Sequence, residues 1–302
     1  MIRKRVLNQL RWSLILVFVL VAFSSCKTTQ FTPAIHARPE VSITSKSTRV
    51  SQALYGVNRI VEYQFSHPDI PFSFDGKTIL FLSDTHYPSL FRAENLKGLV
   101  TLLNTLSFDI LCLGGDYHES TDSIAVLFNH LGSVVPPLGA YAVLGNNDYE
   151  RGYEQVVSAM KRNNIQLLEH QVAPVVFDQD SIFIAGVRNP FDLKLNGVSP
   201  SLNQKEGDFV LLLTHTPDYA EDVSVAHTDL VLAGHTHGGQ VRLLGVAPIV
   251  PSKYDQRFLT GLVYNTVGIP MIVTNGIGTS NKNVRIGAPS EVVLIRLCAS
   301  RN

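Results

Sequence analysis

The segment TILFLSDTHY, residues 78–87, joins an uninterrupted apolar run to a short polar motif containing Asp84 and His86. Five consecutive apolar or β-branched residues are typical of a strand buried on both faces of a sheet. Leu96, Leu99, Val100, Leu103 and Leu106 then recur at helical spacing. The segment therefore predicts the first strand and helix of an α/β domain.

The same order returns further along the chain. DILCLGG (109–115) predicts a second strand and is followed by a helix from about Thr121 that Gly132 ends. AYAVLG (140–145) predicts a third strand, and EQVVSAMKRN supplies its helix. After Ile165 the pattern is mostly of strands, and these are predicted at PVVF, SIFIAG, FVLLLT, DLVLAG, QVRLL, PMIVTN and EVVLIRL.

Polar motifs follow five of these strands: SDTHY, GGDYH, GNND, HTP and GHTHGGQ. Ligands of α/β sheets bind beyond the carboxyl ends of the strands, so these motifs are expected at one edge. Their oxygen and imidazole donors suit Mn, Fe or Zn. The expected donors are Asp84, His86, Asp116, Asn146, His215, His235 and His237. Taken singly, Asp84 or Asp116 is an ordinary turn residue; the ordered set of motifs favours a metal site.

The remaining histidines carry no such pattern. For His36, His67, His130, His170 and His227 we expect hydrogen-bonded polar groups rather than ligands. Lys plus Arg total 25 and Asp plus Glu total 25, and no basic cluster follows residue 11, so a nucleic-acid partner is not expected.

The N-terminal residues 1–26 combine Arg3, Lys4, Arg5 and Arg11 with an apolar stretch from Leu14 to Phe23 and small residues before Cys26. This layout is typical of a secretory signal, and the cysteine resembles that of a lipoprotein lipobox. Lipid on Cys26, an uncleaved anchor and a plain signal peptide remain alternatives. Each puts the following residues on the extracytoplasmic side of a bacterial membrane, as a periplasmic or cell-envelope protein. Residues 27–54 are expected to form a tether, and residues 55–298 the catalytic domain.

The ordered motifs resemble those of the calcineurin-like metallophosphoesterase superfamily. The final TNGIGTSNKNVRIGAPSEVVLI (274–295) is similar to the end of a bacterial subgroup. That subgroup contains membrane-associated phosphodiesterases and proteins named UDP-2,3-diacylglucosamine hydrolases. The resemblance implies a four-layer α/β/β/α sandwich with two divalent metal ions. It assigns Asp84, His86 and His237 to one metal, Asn146, His215 and His235 to the other, and Asp116 to both.

The resemblance implies a phosphoester hydrolase, most directly a phosphodiesterase. Two cations of this kind activate a shared water as hydroxide and neutralise charge on the phosphoryl group. Alternatives are a UDP-2,3-diacylglucosamine pyrophosphate hydrolase of lipid A biosynthesis, acting on a nucleotide-lipid, and a non-catalytic scaffold. All seven donors are present, which disfavours the scaffold.

The sequence departs from the superfamily at Asn147, where many members have a histidine that protonates the leaving group or stabilises the transition state. An amide has no proton to donate at a useful pKa, so esters with stable leaving groups are favoured. Asn147 can still contact a phosphoryl oxygen. His118 is either a substitute acid or a solvated loop residue, and Asp148 either orients a ligand or caps a helix. Arg188 is either a phosphate contact or a surface charge.

Overall fold

The computed structural model describes residues 41–192 and 198–300. The expected signal segment with Cys26, the first part of the expected tether and His36 lie outside the described residues. Among the residues described, none of the helices combines the length and apolar character needed to cross a membrane.

The described strands alternate with helices in the first half and follow one another more closely in the second. The strands are β1 Ser42–Arg49, β2 Arg59–His67, β3 Thr78–Leu82, β4 Ile110–Leu113, β5 Ala140–Ala142, β6 Ile165–Leu167, β7 Gln171–Phe177, β8 Asp180–Gly186, β9 Val210–Leu213, β10 Leu230–Ala233, β11 Gly261–Tyr264, β12 Pro270–Val273 and β13 Glu291–Ala299. The helices are α1 Gln52–Tyr55, α2 Ala93–Leu103, α3 Ile124–Leu131, α4 Asn146–Glu150, α5 Tyr153–Arg162 and α6 Tyr219–Asp222. Short 3₁₀ turns span Phe72–Phe74, Thr121–Ser123, Pro200–Asn203, His237–Gly239 and Asp255–Phe258.

Within the described residues, the strands form a seven-stranded and a six-stranded sheet. The first sheet has the order β1-β2-β13-β3-β4-β5-β6, in which β3 to β6 are parallel. The second has the order β11-β12-β10-β9-β8-β7, in which β8, β9, β10 and β12 are parallel. Parallel neighbours bring their carboxyl ends to one edge, and the polar motifs follow those ends.

Successive side chains along a strand point to opposite faces of its sheet and therefore pack in different hydrophobic cores. Leu80 and Leu111 pack with α2, α3 and α5, whereas Phe81 and Cys112 point into the core between the two sheets. In the second sheet, Leu211 enters this central core and Leu212 packs with α6 on the outer face. The expected four-layer α/β/β/α sandwich is therefore confirmed.

Two segments differ from the sequence-based expectation. Ser42–Arg49, placed in the expected tether, pairs antiparallel with β2 along its whole length. Its Ser, Thr and Lys side chains are mostly exposed, so no apolar alternation marks this edge strand. QVRLL (240–244) is not a strand; it makes only isolated bridges, including one between Leu243 and Val246. The left-handed backbone at Gln240 and Leu244 interrupts any ladder there.

Candidate metal centre

The carboxyl edge of both sheets brings six of the expected donors into two clusters. Ligand atoms of each cluster lie within 4.8 Å of one another. The first contains Asp84, His86 and His237, and the second Asp116, His215 and His235. The donors come from loops after β3, β4, β9 and β10.

Asp116 lies between the two clusters. Its Oδ2 is 3.4 Å from His86 Nε2 of the first cluster and 3.5 Å from His215 Nε2 of the second. The side chain is buried. A single carboxylate therefore faces imidazoles of both clusters.

The imidazoles within each cluster also face one another. His86 Nε2 is 3.1 Å from His237 Nε2, and His215 Nε2 is 3.2 Å from His235 Nδ1. Ring nitrogens this close, beside buried carboxylates, form a donor set of imidazoles and oxygens. Such a set suits a divalent transition-metal ion.

Asn146 is the remaining expected donor, and its environment tests the fit to a cation. Its Oδ1 is buried and has no hydrogen-bond partner among the described residues. Its Nδ2 donates to Asn147 Oδ1 at 3.0 Å, which fixes the orientation of the amide. Buried acceptors normally have a partner, so this oxygen suits a metal ligand on the side where Asp116 and His235 also line the groove.

The backbone at these donors is unusual. Asp84, His86, Asp116, His235 and His237 all have positive φ between 40° and 67°. Non-glycine residues rarely adopt this region, and such conformations concentrate at functional sites where the surrounding structure enforces them.

Two glycines make room for the carboxylates. A Cβ on Gly145 would lie 2.1 Å from Asp116 Oδ1, and one on Gly234 would lie 2.2 Å from Asp84 Oδ2. The GNND and GHTH motifs thus include glycine because side-chain oxygens approach the backbone there.

Hydrogen bonds set the tautomers of two histidines. His86 donates its Nδ1–H to Glu119 Oε1 at 2.5 Å, and His215 donates its Nδ1–H to the Gly114 carbonyl at 2.8 Å. In the neutral ring, each arrangement leaves Nε2 with a lone pair directed toward the cluster. Glu119 was not predicted from the sequence; its position three residues after Asp116 was the available signal.

Asp148 holds the backbone that carries Asp116. Its Oδ2 accepts the N–H of Asp116 at 2.8 Å and of Gly145 at 2.9 Å, and its Oδ1 accepts the N–H of Tyr117 at 3.1 Å. It occupies the third position of α4, whose N-cap is Gly145. Asp148 is therefore not the N-cap residue, but it accepts the N–H of the N-cap Gly145, as the third residue of a capping box does, and it also orients the backbone amides of Asp116 and Tyr117.

Arg285 is a second residue that the sequence did not reveal. Its guanidinium donates to the carbonyls of His237, Asn275, Gly278 and Ala288, at 2.5 to 3.3 Å. These contacts tie the loop of His237 to the segments that follow β12. Burial lowers the pKa of Arg285 to about 10.

Neighbouring charges and burial shift the pKa values of the donor side chains in different directions. Burial alone disfavours the imidazolium of His215, but Asp116 outweighs it and raises the His215 pKa to about 9. Burial and the proximity of His215 lower the pKa of His235 to about 3. Burial would raise the pKa of Asp116, yet His215 and His86 hold it below its usual range. Burial and the charge of Asp116 raise the pKa of Asp148 to about 7.

Asn147 and His118 occupy positions beside the clusters rather than between them. The Asn147 backbone N–H donates to Asp116 Oδ1 at 3.0 Å, and its Nδ2 donates to Glu119 Oε1 at 3.3 Å. His118 is buried, with Nε2 3.9 Å from Asp148 Oδ1, so its description as a solvated loop residue is wrong. Burial lowers the pKa of His118.

Phe191 covers one side of the second cluster. Its ring centroid lies 5.0 Å from that of His235 and 6.1 Å from that of His215, both edge to face. Arg188, in the same loop, is half-buried.

Among residues 41–192 and 198–300, one histidine outside the main site is grouped with acidic residues, namely His67 with Asp69 and Asp229. His67 Nδ1 accepts the Asp69 N–H at 3.2 Å, and Nε2 lies 3.3 Å from Asp229 Oδ1. Asp229 also accepts the Val210 N–H. Both ring nitrogens of His67 are therefore engaged, as expected for a hydrogen-bonded polar group.

Residues 77–239, which carry all seven of these donors, match the calcineurin-like phosphoesterase family. The chain belongs to this family. It is thus a metallophosphoesterase by family; the fold implies divalent metal ions, and the donor clusters described above are candidate sites for them.

Individual metallophosphoesterases are similar over most of the chain. The uncharacterized metallophosphoesterase YkuE of Bacillus subtilis is 28% identical over 249 residues, which cover 76% of this chain and 81% of YkuE. An uncharacterized metallophosphoesterase of Helicobacter pylori is 27% identical over 226 residues, covering 72% of this chain but only 59% of that protein. Among solved structures, TT1561 of Thermus thermophilus is 14% identical, with a TM-score of 0.44 and coverage of 67% of this chain and 90% of that one.

Proposed function

We propose that this protein hydrolyses phosphodiesters with two divalent cations. The observation that carries the proposal is the position of Asp116, whose Oδ2 lies within 3.5 Å of an imidazole in each donor cluster. A carboxylate placed in this way can be shared by a pair of metal ions.

Asp84, His86 and His237 would hold one cation, and Asn146, His215 and His235 the other. When bound, such a pair activates water and neutralises charge on the phosphoryl oxygens. Around it, Glu119 and the Gly114 carbonyl accept the Nδ1–H of His86 and His215 and so orient Nε2 of each ring toward its cluster. Asp148 fixes the backbone of Asp116 through three N–H groups, one of them that of Asp116 itself.

Asn147 limits the range of leaving groups. Its side chain is engaged with Asn146 and Glu119, and an amide carries no transferable proton near neutral pH. Loss of a positioned acid typically costs about 10²–10⁴-fold when the leaving group is poor. We therefore expect efficient hydrolysis of aryl diesters and diphosphates, and slow hydrolysis of simple alkyl monoesters.

The presence of Asn147 instead of an acidic histidine also supports a second candidate function, hydrolysis of the diphosphate of UDP-2,3-diacylglucosamine. Its leaving group is itself a phosphate ester and needs no strong acid. The proposed extracytoplasmic location disfavours this candidate, because nucleotide-activated lipids are handled in the cytoplasm. Protease treatment of intact spheroplasts distinguishes the two: cleavage of the domain supports the outer location, and protection overturns it.

Attachment to the membrane through the N-terminal segment, or through lipid on Cys26, is part of the proposal. It rests on the basic start, the apolar stretch and the small residues before Cys26. Mass spectrometry of the mature N-terminus tests it. A free N-terminus at or beyond Lys27 would contradict both forms of attachment.

The decisive variant for the chemistry is Asp116→Asn, which preserves shape but removes the shared charge. We expect metal content to fall below two ions per chain and hydrolysis of bis-p-nitrophenyl phosphate to fall about 10³-fold or more. Asp178→Asn is the matched control, because Asp178 is exposed in the β7–β8 turn at positive φ, which Asn also tolerates. Wild-type protein that binds two metals but hydrolyses no phosphoester would instead indicate a scaffold.

A further inference from the structure

An apolar groove includes part of both donor clusters in its lining. It has a volume of about 420 Å³, within the range of small-molecule sites. Four of the expected metal donors line it, namely Asp116, Asn146, His235 and His237. Its apolar lining consists of Val241, Pro248, Ile249, Pro251 and Val284.

The groove lies against a concentration of exposed apolar side chains. Fifteen large apolar residues are exposed among those described, and six belong to the two segments 241–250 and 284–286. These six are Leu243, Leu244, Val246, Ile249, Val284 and Ile286. The two segments are adjacent, because the Arg242 N–H donates to the Ile286 carbonyl and the Ile286 N–H to the Gln240 carbonyl. Grouped exposed apolar residues of this kind mark interaction sites, among them ligand-binding grooves.

Polar contacts hold the apolar wall in a fixed shape. Gln256 bonds both the N–H and the carbonyl of Ala247, and Asp218 accepts from Ser252 and from the Lys253 N–H. Within the segment, Leu243 and Val246 exchange two backbone hydrogen bonds. The apolar side chains are therefore exposed by a structured loop, which lowers the ordering cost of binding.

The charges along the groove fit a molecule with an anionic end and an uncharged end. Among its lining residues the acidic side chain is Asp116, which we assign to the cations, and the basic side chain is that of Lys282. Lys282 is exposed, and its carbonyl is held by Gln240. The candidate cation site, Lys282 and an apolar wall thus line a single cleft.

From this arrangement we propose that the substrate is an amphiphile, a phosphoester whose aliphatic arm lies along Val241, Ile249 and Val284 while its phosphoryl group meets the donor clusters. This inference rests on the proposed function and specifies its substrate class. Because each buried methylene contributes ~0.8 kcal/mol, or roughly fourfold, the selectivity should grow with the length of the arm.

The test compares p-nitrophenyl methyl phosphate with p-nitrophenyl octyl phosphate below its aggregation threshold. Both release nitrophenol, so the chemistry is matched and only the arm differs. We expect the metal-loaded full chain to prefer the octyl ester by about tenfold or more in kcat/KM. Ile249→Ser should reduce this preference by roughly fivefold, and the double variant with Val284→Ser should abolish it. Val267→Ser, equally exposed but in the β11–β12 turn, should keep the wild-type preference.

Binding without turnover gives a second readout. Octylphosphonate should bind more tightly than methylphosphonate, with a more negative heat-capacity change that Ile249→Ser diminishes. Equal kcat/KM for the two esters in the wild type, or an unchanged preference in the double variant, overturns the aliphatic-arm assignment while leaving the phosphodiesterase intact. Failure to hydrolyse either ester overturns the proposed function itself.

Discussion

The contact between Glu119 and His86 yields a quantitative prediction about metal affinity. Glu119 Oε1 accepts the His86 Nδ1–H at 2.5 Å, and it also accepts from Asn147 Nδ2 at 3.3 Å. This carboxylate keeps the His86 ring in the tautomer whose Nε2 faces Asp116 and His237. Glu119→Ala removes the acceptor and lets the ring change tautomer or rotate.

Loss of such an outer partner of a metal-bound histidine costs about 10–100-fold in metal affinity, equivalent to roughly 1.4–2.7 kcal/mol. We therefore expect Glu119→Ala to weaken the cation held by the His86 cluster by that factor. Glu119→Gln keeps an oxygen that can accept Nδ1–H but loses the charge, so its effect should be under about tenfold. The His215 cluster, whose tautomer depends on the Gly114 carbonyl, should be affected less.

The assay is calorimetric titration of chelator-stripped protein with Mn²⁺, with circular dichroism to verify that each variant is folded. Glu206→Ala is the control, because Glu206 is exposed. If Glu119→Ala binds both cations with wild-type affinity, the proposed control of the His86 tautomer is refuted.

Three further predictions concern charge and structure around the centre. His215 has a pKa of about 9 and is therefore protonated at neutral pH, so a cation that binds there must displace a proton. The affinity for Mn²⁺ should rise by up to about tenfold per pH unit from pH 6 toward 9. A Kd that does not change with pH would contradict this prediction. In the Asp148→Asn variant an amide NH₂ replaces one of the oxygens that accept the three backbone N–H groups, so at least one of these hydrogen bonds is lost. Urea unfolding with chelator present should show a free energy of unfolding that is lower by roughly 1–3 kcal/mol. Burial and the charge of Asp116 raise the folded-state pKa of Asp148 from 3.8 to about 7, so the wild type loses stability as the pH rises from about 4 to about 7, whereas Asp148→Asn does not titrate there. The stability deficit of Asp148→Asn should therefore be smaller at pH 8 than at pH 5; a larger deficit at pH 8 would show that the carboxylate form is the stabilising one. Arg285→Met should lower both the metal content and kcat, and Arg285→Lys should recover part of each. If both variants keep the wild-type metal content and kcat, Arg285 contributes only to packing.

The strands of the parallel core could be predicted from the sequence because they are buried on both faces. TILFL and ILCL are continuous apolar runs, and the polar motifs that follow them had a predictable place at the carboxyl edge. The family could also be predicted from the order of those motifs. The structure at the edges of the sheets could not be predicted from the sequence. β1 is exposed along most of its length and so shows no apolar alternation, whereas QVRLL contains apolar residues but its positive φ angles prevent a regular strand.

The sequence by itself therefore determined which strands form the core and which donor types follow them. It also showed that this chain has Asn147 where many members of the superfamily have a histidine. Tertiary structure alone decided that Asp116 lies between two imidazoles, that Glu119, Asp148 and Arg285 support the donors, and that Ile249 and Val284 share a groove with them. The physical reason is range. Burial of a strand leaves a local pattern of period two or an unbroken apolar run, whereas contacts such as that of Arg285 with His237 join residues 48 positions apart and leave no local periodicity.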